Sequence, residues 1–309
     1  MDNAKITVLP ITQPSLGTLA FEWLYFPVLA ITAMGSMAWF LHTNQHVETA
    51  SFVISVSVLI ITMLFERLHP LNQQWNQSRG DLGPDFSSLI LVGVFIEGAL
   101  KKAGPLIALY AFLALDLPQD YRLIPESMPL WAETILVLLI IEFAKYWFHR
   151  LGHENLRWWP LHSVHHSVKR MHLLNGFRIH PLYHLCTFVL GVVPCYLIGA
   201  SQEALILNSV LLAIGGSIQH CNIKLRYGWL NYIFNTNELH RWHHSKKIEE
   251  ANHNYGAVLI VWDVVFGTRY YRPDDSPVEL GIHREERYPM NNYWKQLLIP
   301  FRWKSQMMD

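Results

Sequence analysis

The chain has 309 residues, of which 51% are hydrophobic and only 16% charged, with 24 basic and 24 acidic side chains and zero net charge when histidine is neutral. About a quarter of an ordinary soluble chain is charged, so the shortfall argues against a soluble protein and for a surface that largely faces something other than water, and with balanced charge a basic patch for nucleic acid is not the theme. Seventeen histidines and twelve tryptophans are the unusual counts; tryptophan gathers at membrane–water boundaries, and the histidines call for chemistry.

Residues 1–20 carry one lysine and no arginine, without the basic start and small-residue cleavage site of a removable signal. Residues 21–41 form an apolar run long enough to cross a bilayer, which takes about 20 residues. A second run, residues 50–65, is shorter and can be accommodated by untilted spanning or local thinning. A polar segment with turn residues occupies 66–85. Residues 86–117 are apolar but interrupted by Glu97, Lys101, Lys102 and Gly104-Pro105; they read as an interfacial or re-entrant piece over 87–100 and a span over 103–117. After a polar loop at 118–127, residues 130–148 read as a strong span.

Beyond it the chain turns polar and rich in His, Arg, Lys and Trp until residue 181. Residues 182–198 and 204–218 then form an apolar hairpin that turns at Gly199-Ala200-Ser201-Gln202-Glu203. From His220 onward the chain is polar and aromatic, and residues 257–266, too short to cross, read as a strand or interfacial piece. There is no internal repeat. Cys186, Cys195 and Cys221 have no metal or disulfide spacing and read as small buried hydrophobes. The expected fold is an all-α integral membrane protein. A transmembrane helix bundle over residues 1–129 is followed by a catalytic domain over 130–309 with a histidine-rich, metal-binding cap on the cytoplasmic side.

Three histidine clusters carry the functional reading: His149-Arg150-Leu151-Gly152-His153, His162-Ser163-Val164-His165-His166 and His240-Arg241-Trp242-His243-His244. Positions i, i+3 and i+4 share a helix face, so each HxxHH is expected to aim three imidazoles into one volume, and the HxxxH pair adds two. Eight imidazoles exceed the four that saturate one zinc ion and ask for two ions. The apolar hairpin returns the chain to the face it left, so all three clusters share one side. Arg150, Arg157, Lys169, Arg170, Arg178, Lys224, Arg226, Arg241, Lys246 and Lys247 lie there too, and basic residues beside span ends favour the cytoplasm. Clustered imidazolium ions would repel, which disfavours a merely structural cluster.

These boxes resemble those of the fatty acid hydroxylase / sterol desaturase superfamily of integral membrane di-iron oxygenases. Arg178-Ile179-His180-Pro181 is similar to that family's RxHP element. Asn254-Tyr255-Gly256, Trp262-Asp263 and Phe266-Gly267-Thr268 are similar to the run after its third box. The resemblance implies two iron ions held by His149, His153, His162, His165, His166, His240, His243 and His244. His220 stands where relatives often place a further ligand, while the position four residues on is Lys224. Many relatives have an acid after His-Pro-Leu, where this chain has Tyr183. The implied reaction is hydroxylation or desaturation of a C–H bond of a lipid by O2, with the lipid arriving laterally from the bilayer. No flavin, haem or iron–sulfur motif is visible, so electrons come from a separate ferredoxin or cytochrome b5-like donor.

His180 and His184 are candidate ligands or donors to ligands. His172, His253 and His283 read as structural or exposed, and His42, His46 and His69 as unrelated to metal. Glu142, two helical turns before His149, is placed to hydrogen-bond a ligand histidine or to pair with Lys145. Asp263 is a similar candidate, and Trp158-Trp159 reads as an interface anchor. The competing classes are a transition-metal transporter, which needs ionisable groups in mid-membrane, and a bis-histidine haem electron carrier, which needs histidines facing one another in mid-span.

Overall fold

The computed structural model describes residues 14–118, 121–273, 275–283 and 285–307; the mixed-character start of the chain, residues 1–13, lies outside them. Helices α1 (Leu16–Thr43) and α2 (Val47–Leu68) form a hairpin. The Ser15 hydroxyl starts α1 by accepting from the amide of Thr18, the usual N-cap device. Next come α3 (Leu82–Ser88), a π-helical stretch Leu89–Ile96 and α4 (Glu97–Ala114), continuous along one rod. Then follow α5 (Leu130–Glu154), the short α6 (Trp159–His166), and α7 (Pro181–Leu197) and α8 (Gln202–His220), which pack on α5 rather than on each other. Short helices complete the fold: α9 (Asn237–His243), α10 (Ile248–Ala251), α11 (Val261–Val265), α12 (Tyr293–Gln296) and α13 (Ile299–Met307).

The all-helical class is as expected, with no strand among the described residues. Two described helices, α1 and α2, are long and apolar enough to cross a membrane, and α7 is apolar but shorter. Three readings change. The break expected between 87–100 and 103–117 is absent, because Gly104-Pro105 lies inside α4; the glycine admits the ring of Tyr196, which would sit 2.6 Å from a Cβ there. Glu97 is satisfied inside the rod by Lys101 at 3.4 Å and His184 at 2.9 Å. Residues 257–266 are not a strand: they hold the short helix α11 at Val261–Val265, preceded by one isolated bridge between Leu259 and Phe234. Helix α5 buries Glu133 and Glu142 as well as apolar residues, so its inner face is not lipid-like.

Two ends of the bundle are distinct. At one, Glu133 accepts from the amide (2.7 Å) and hydroxyl (2.8 Å) of Ser201, tying the start of α5 to the α7–α8 turn. At the other, the C-termini of α5 and α8 and the N-terminus of α7 converge, and every histidine of the three clusters lies there. The buried face of α5 steps through Val137, Leu138, Ile141, Tyr146 and His149, so the same helical period that packs the core delivers the first histidine to it.

Carboxylates from the first half of the chain hold this end together. Arg178, fully buried, donates to Asp85 at 2.7 Å and 2.6 Å, to the Asp81 carbonyl at 3.0 Å and to the carbonyl of Ser167, just past α6. Arg170 forks onto Asp81 at 2.5 and 2.9 Å. His172 reaches Asp85 at 3.0 Å. Asp81, Asp85 and His172 are close enough to hold a cation, but two guanidinium groups already neutralise the carboxylates. Glu66 accepts from the amides of Leu173 and Asn222.

Removing one partner of a buried ion pair costs about 3–5 kcal/mol. Arg178→Ala is therefore expected to lower the melting temperature sharply in thermal unfolding of the purified protein. An unchanged transition would contradict the clamp.

Candidate metal centre

Nine histidines sort into two groups, each with its nearest ring nitrogens within 4.8 Å of one another: His149, His153, His162, His166 and His243 in the first, and His165, His220, His240 and His244 in the second. The boxes therefore interleave. Each HxxHH was expected to aim three rings into one volume; instead the i and i+4 rings of α6 join the first group and the i+3 ring joins the second. The third box divides the other way, His243 to the first group and His240 with His244 to the second. Neighbouring positions point about 100° apart around a helix, so each HxxHH box straddles both groups, while His149 and His153 of the first box stay together. The groups touch: the rings of His166 and His244 stack with centroids 4.4 Å apart.

The rings point Nε2 inward. His166 Nε2 lies 3.1 Å from that of His153, 2.9 Å from that of His162 and 3.1 Å from that of His243. In the second group His220 Nε2 is 3.2 Å from His165 Nε2 and 3.0 Å from His240 Nε2, and His244 Nε2 is 3.2 Å from His240 Nε2. The outward nitrogens of four rings are spoken for. His149 Nδ1 faces the Tyr255 carbonyl at 2.6 Å, and His243 Nδ1 the His253 carbonyl at 2.7 Å. His153 Nδ1 faces Asn252 Oδ1 at 3.2 Å, and His220 Nδ1 faces Asn175 Oδ1 at 2.8 Å. A ring that donates Nδ1–H to an oxygen presents a bare lone pair at Nε2. Several such lone pairs at van der Waals range repel unless a cation sits among them, and His149 Nε2 is buried with no partner at all. The donor set fits metal ions.

Protonation favours the same reading. Burial pushes His165 down to about 3 and holds His162, His166, His243 and His244 well below the usual imidazole range, with the neighbouring imidazoles lowering them further. These rings are neutral near pH 7, the form that ligates.

The remaining candidates have other work. His180 caps α7, its Nδ1 accepting from the Leu182 amide at 3.1 Å. His184 pairs with Glu97, and His172 with Asp85. Glu142 touches no histidine: its Oε2 accepts from the amides of Ala257, Val258 and Leu259 at 2.8–3.0 Å. Asp263 accepts from the amides of Tyr255 and Gly256, both at 2.8 Å, and from the Thr268 hydroxyl at 2.7 Å; burial lifts its carboxyl to about 6. Both acids act one step removed, by fixing the loop whose Tyr255 carbonyl orients His149. Asn254, at φ 57°, locks the same loop by donating to the carbonyls of Leu239 and Tyr270. Trp158 and Trp159 are partly buried, and Trp159 packs 5.3 Å from His153 and 5.5 Å from His166 rather than serving only as an anchor. The sequence reading missed Asn175 and Asn252; only the Asn175-Gly176 turn dipeptide hinted at the first.

Residues 134–268 match the family model Fatty acid hydroxylase. Among curated proteins, the chain is 37% identical over 257 residues to ornithine lipid hydroxylase OlsE of Rhizobium tropici, covering 82% of this chain and 76% of that protein. The chain belongs to the fatty acid hydroxylase family. It is an oxidoreductase that acts on lipids. It is also 30% identical over 178 residues to the alkylglycerol monooxygenase of Homo sapiens, across 57% of this chain but only 38% of that longer protein. A very-long-chain aldehyde decarbonylase GL1-5 of Oryza sativa subsp. indica is 27% identical over 161 residues, 46% of this chain and 25% of its own. No solved structure matches. The family stretch contains all nine converging histidines together with Glu142, Asn175, Asn252 and Asp263, whereas Asp81 and Asp85 fall before it.

A Cβ on Gly256 would lie 1.9 Å from the Leu259 carbonyl oxygen. Gly256→Ala must open the loop that holds His149, at about 1–3 kcal/mol or more. It is expected to lower both the melting temperature and the metal content of the purified protein. Gly98→Ala, with nothing within 4 Å, is expected to change neither. Equal behaviour of the two variants would contradict the role given to the loop.

Proposed function

We propose that this chain is a multi-pass membrane di-iron oxygenase that hydroxylates or desaturates the apolar chain of a lipid with O2. The observation that carries the reading is the pair of interleaved, buried, neutral imidazole groups, with five and four rings. In the first ion's site stand His149, His153, His162, His166 and His243; in the second stand His165, His220, His240 and His244. Iron is the family's metal, and two bound irons would supply the activation of O2 that breaks an unactivated C–H bond.

The protein's own residues do the rest. Tyr255, His253, Asn252 and Asn175 hold the Nδ1 protons of His149, His243, His153 and His220, keeping the Nε2 lone pairs of those four rings directed inward. Glu142 and Asp263 keep the Tyr255 loop in place. Burial excludes bulk water and keeps the rings unprotonated. Residues 130–309 form the catalytic unit and residues 1–129 the membrane-spanning region. No redox cofactor motif accompanies the site, so a ferredoxin or cytochrome b5-like donor delivers the electrons. The basic residues around the histidine end, Arg150, Arg157, Lys169, Lys224 and Lys247 among them, support a cytoplasmic orientation. The histidines gather at one end of the bundle, not along mid-helix positions, which removes support from a transporter or haem carrier.

The relatives' names are an ornithine lipid hydroxylase and an alkylglycerol monooxygenase, which favours a membrane lipid with a polar head as substrate and hydroxylation as the outcome. Lipid extracts of cells with and without the chain test this: gain of one oxygen atom marks hydroxylation, loss of two hydrogens marks desaturation, and identical extracts contradict an oxygenase. In the purified protein, His162→Ala and His220→Ala are each expected to retain one iron of two. Asn175→Ala is expected to lower metal affinity by about 10–100-fold. A single iron in the unaltered protein would contradict the two-ion assignment.

A further inference from the structure

A cavity of about 430 Å³ opens onto the first histidine group, within the range of about 300–1,000 Å³ typical of small-molecule sites. His153 and His166 form its floor. His153 is the one member of its group that is not buried, so the first site has a single less-covered side, and the cavity lies against it. The walls are mainly apolar, with Trp159, Ala251, Ile282 and Trp303 contributing, and Ser245, Lys246, Asn252 and His283 adding polar groups. The rim carries Leu156 and Ile248, 66% and 62% exposed. Both are apolar side chains left open to the surroundings at the mouth of a cleft. Leu156 lies just beyond the last residue of α5, so the mouth lies at the histidine end of that helix.

Charge decides what enters. The wall's cation, Lys246, is already paired with Glu279 at 3.3 Å and Glu285 at 3.8 Å, leaving little to hold an anionic head group. A charged protein docking there for electron transfer would meet a mixed, largely neutralised rim. An apolar chain satisfies the walls and the exposed rim leucine and isoleucine without an unpaired charge.

We propose that this cleft receives the alkyl or acyl chain to be oxidised, threading it past Trp159 to the first site from beyond the end of α5. This rests on the oxygenase reading above. Two sources of chain are compatible with the chemistry: a chain borne by a bilayer phospholipid, and a free fatty acid reaching the mouth from water.

The test uses the iron-loaded full chain in nanodiscs and a sixteen-carbon fatty acid with a mid-chain diazirine, supplied free in one arm and esterified in the nanodisc phospholipid in the other. After photolysis, peptides are mapped by mass spectrometry. Adducts on Leu156, Ile248, Ala251, Ile282 or Trp303 are expected, and the arm that labels identifies the source. Ala251→Trp, which fills the cleft, is expected to cut that labelling by about tenfold or more, with iron content unchanged. Ile248→Trp, at an exposed rim position that does not endanger folding, is expected to lower labelling and raise KM while leaving iron content unchanged. Labelling confined to α4, α7 or other helices in both arms, or full labelling and unchanged KM in both tryptophan variants, would overturn the cleft assignment. Turnover persisting in those cases would leave the oxygenase reading standing, whereas absence of bound iron and of turnover in the unaltered chain would remove that reading instead.

Discussion

Nine neutral imidazoles share one buried volume, and that crowding is the constraint from which the rest of the structure follows. A ring whose outward nitrogen is free to titrate or flip would present a proton to its neighbours and relax the cluster. The fold restrains four of the nine by supplying an oxygen at Nδ1 of His149, His153, His220 and His243. Three of those oxygens lie on residues 252–255, next to amides held by buried carboxylates, Glu142 on three and Asp263 on two, while Asn175 sits in a short turn whose Leu173 amide donates to Glu66. Desolvation keeps the rings neutral, so the cluster has its strongest attraction for cations where water is least able to compete.

The interleaving of the boxes has a mechanical consequence. Helix α6 contributes to both groups through adjacent residues, His165 and His166, and α9 does so through His243 with His244 just after it. Displacing either helix moves rings of both groups at once, so the two groups are coupled by covalent structure and not merely by proximity. The clamp formed by Arg178 on the Ser167 carbonyl, Asp81 and Asp85 bears on the end of α6. The RxHP element therefore acts mainly through packing: its arginine fastens the second box to α3, and its histidine and proline begin α7.

The histidines themselves were legible in the sequence because ligand spacing on a helix is a local pattern. Spacing could show that the rings of one box are near one another; it could not show how two distant stretches would divide them. His220 was legible only as a histidine at the end of an apolar run on the correct face. Asn175 and Asn252 were not, because a side-chain oxygen that receives one Nδ1–H leaves no periodic trace. Glu142 was flagged for its depth in an apolar helix, yet its partners, three amides more than a hundred residues away in sequence, depend on tertiary placement. The unbroken rod through Gly104-Pro105 was hidden for the same reason: a glycine that normally breaks a helix is retained to admit a tyrosine ring from α7.

The most direct measurement is X-ray absorption at the iron edge on the full chain loaded with iron, together with the iron count. The account predicts two irons per chain, each in a first shell dominated by imidazole nitrogen and showing the multiple-scattering pattern of histidine rings. One iron per chain, or a shell dominated by carboxylate oxygen or by sulfur, would contradict it.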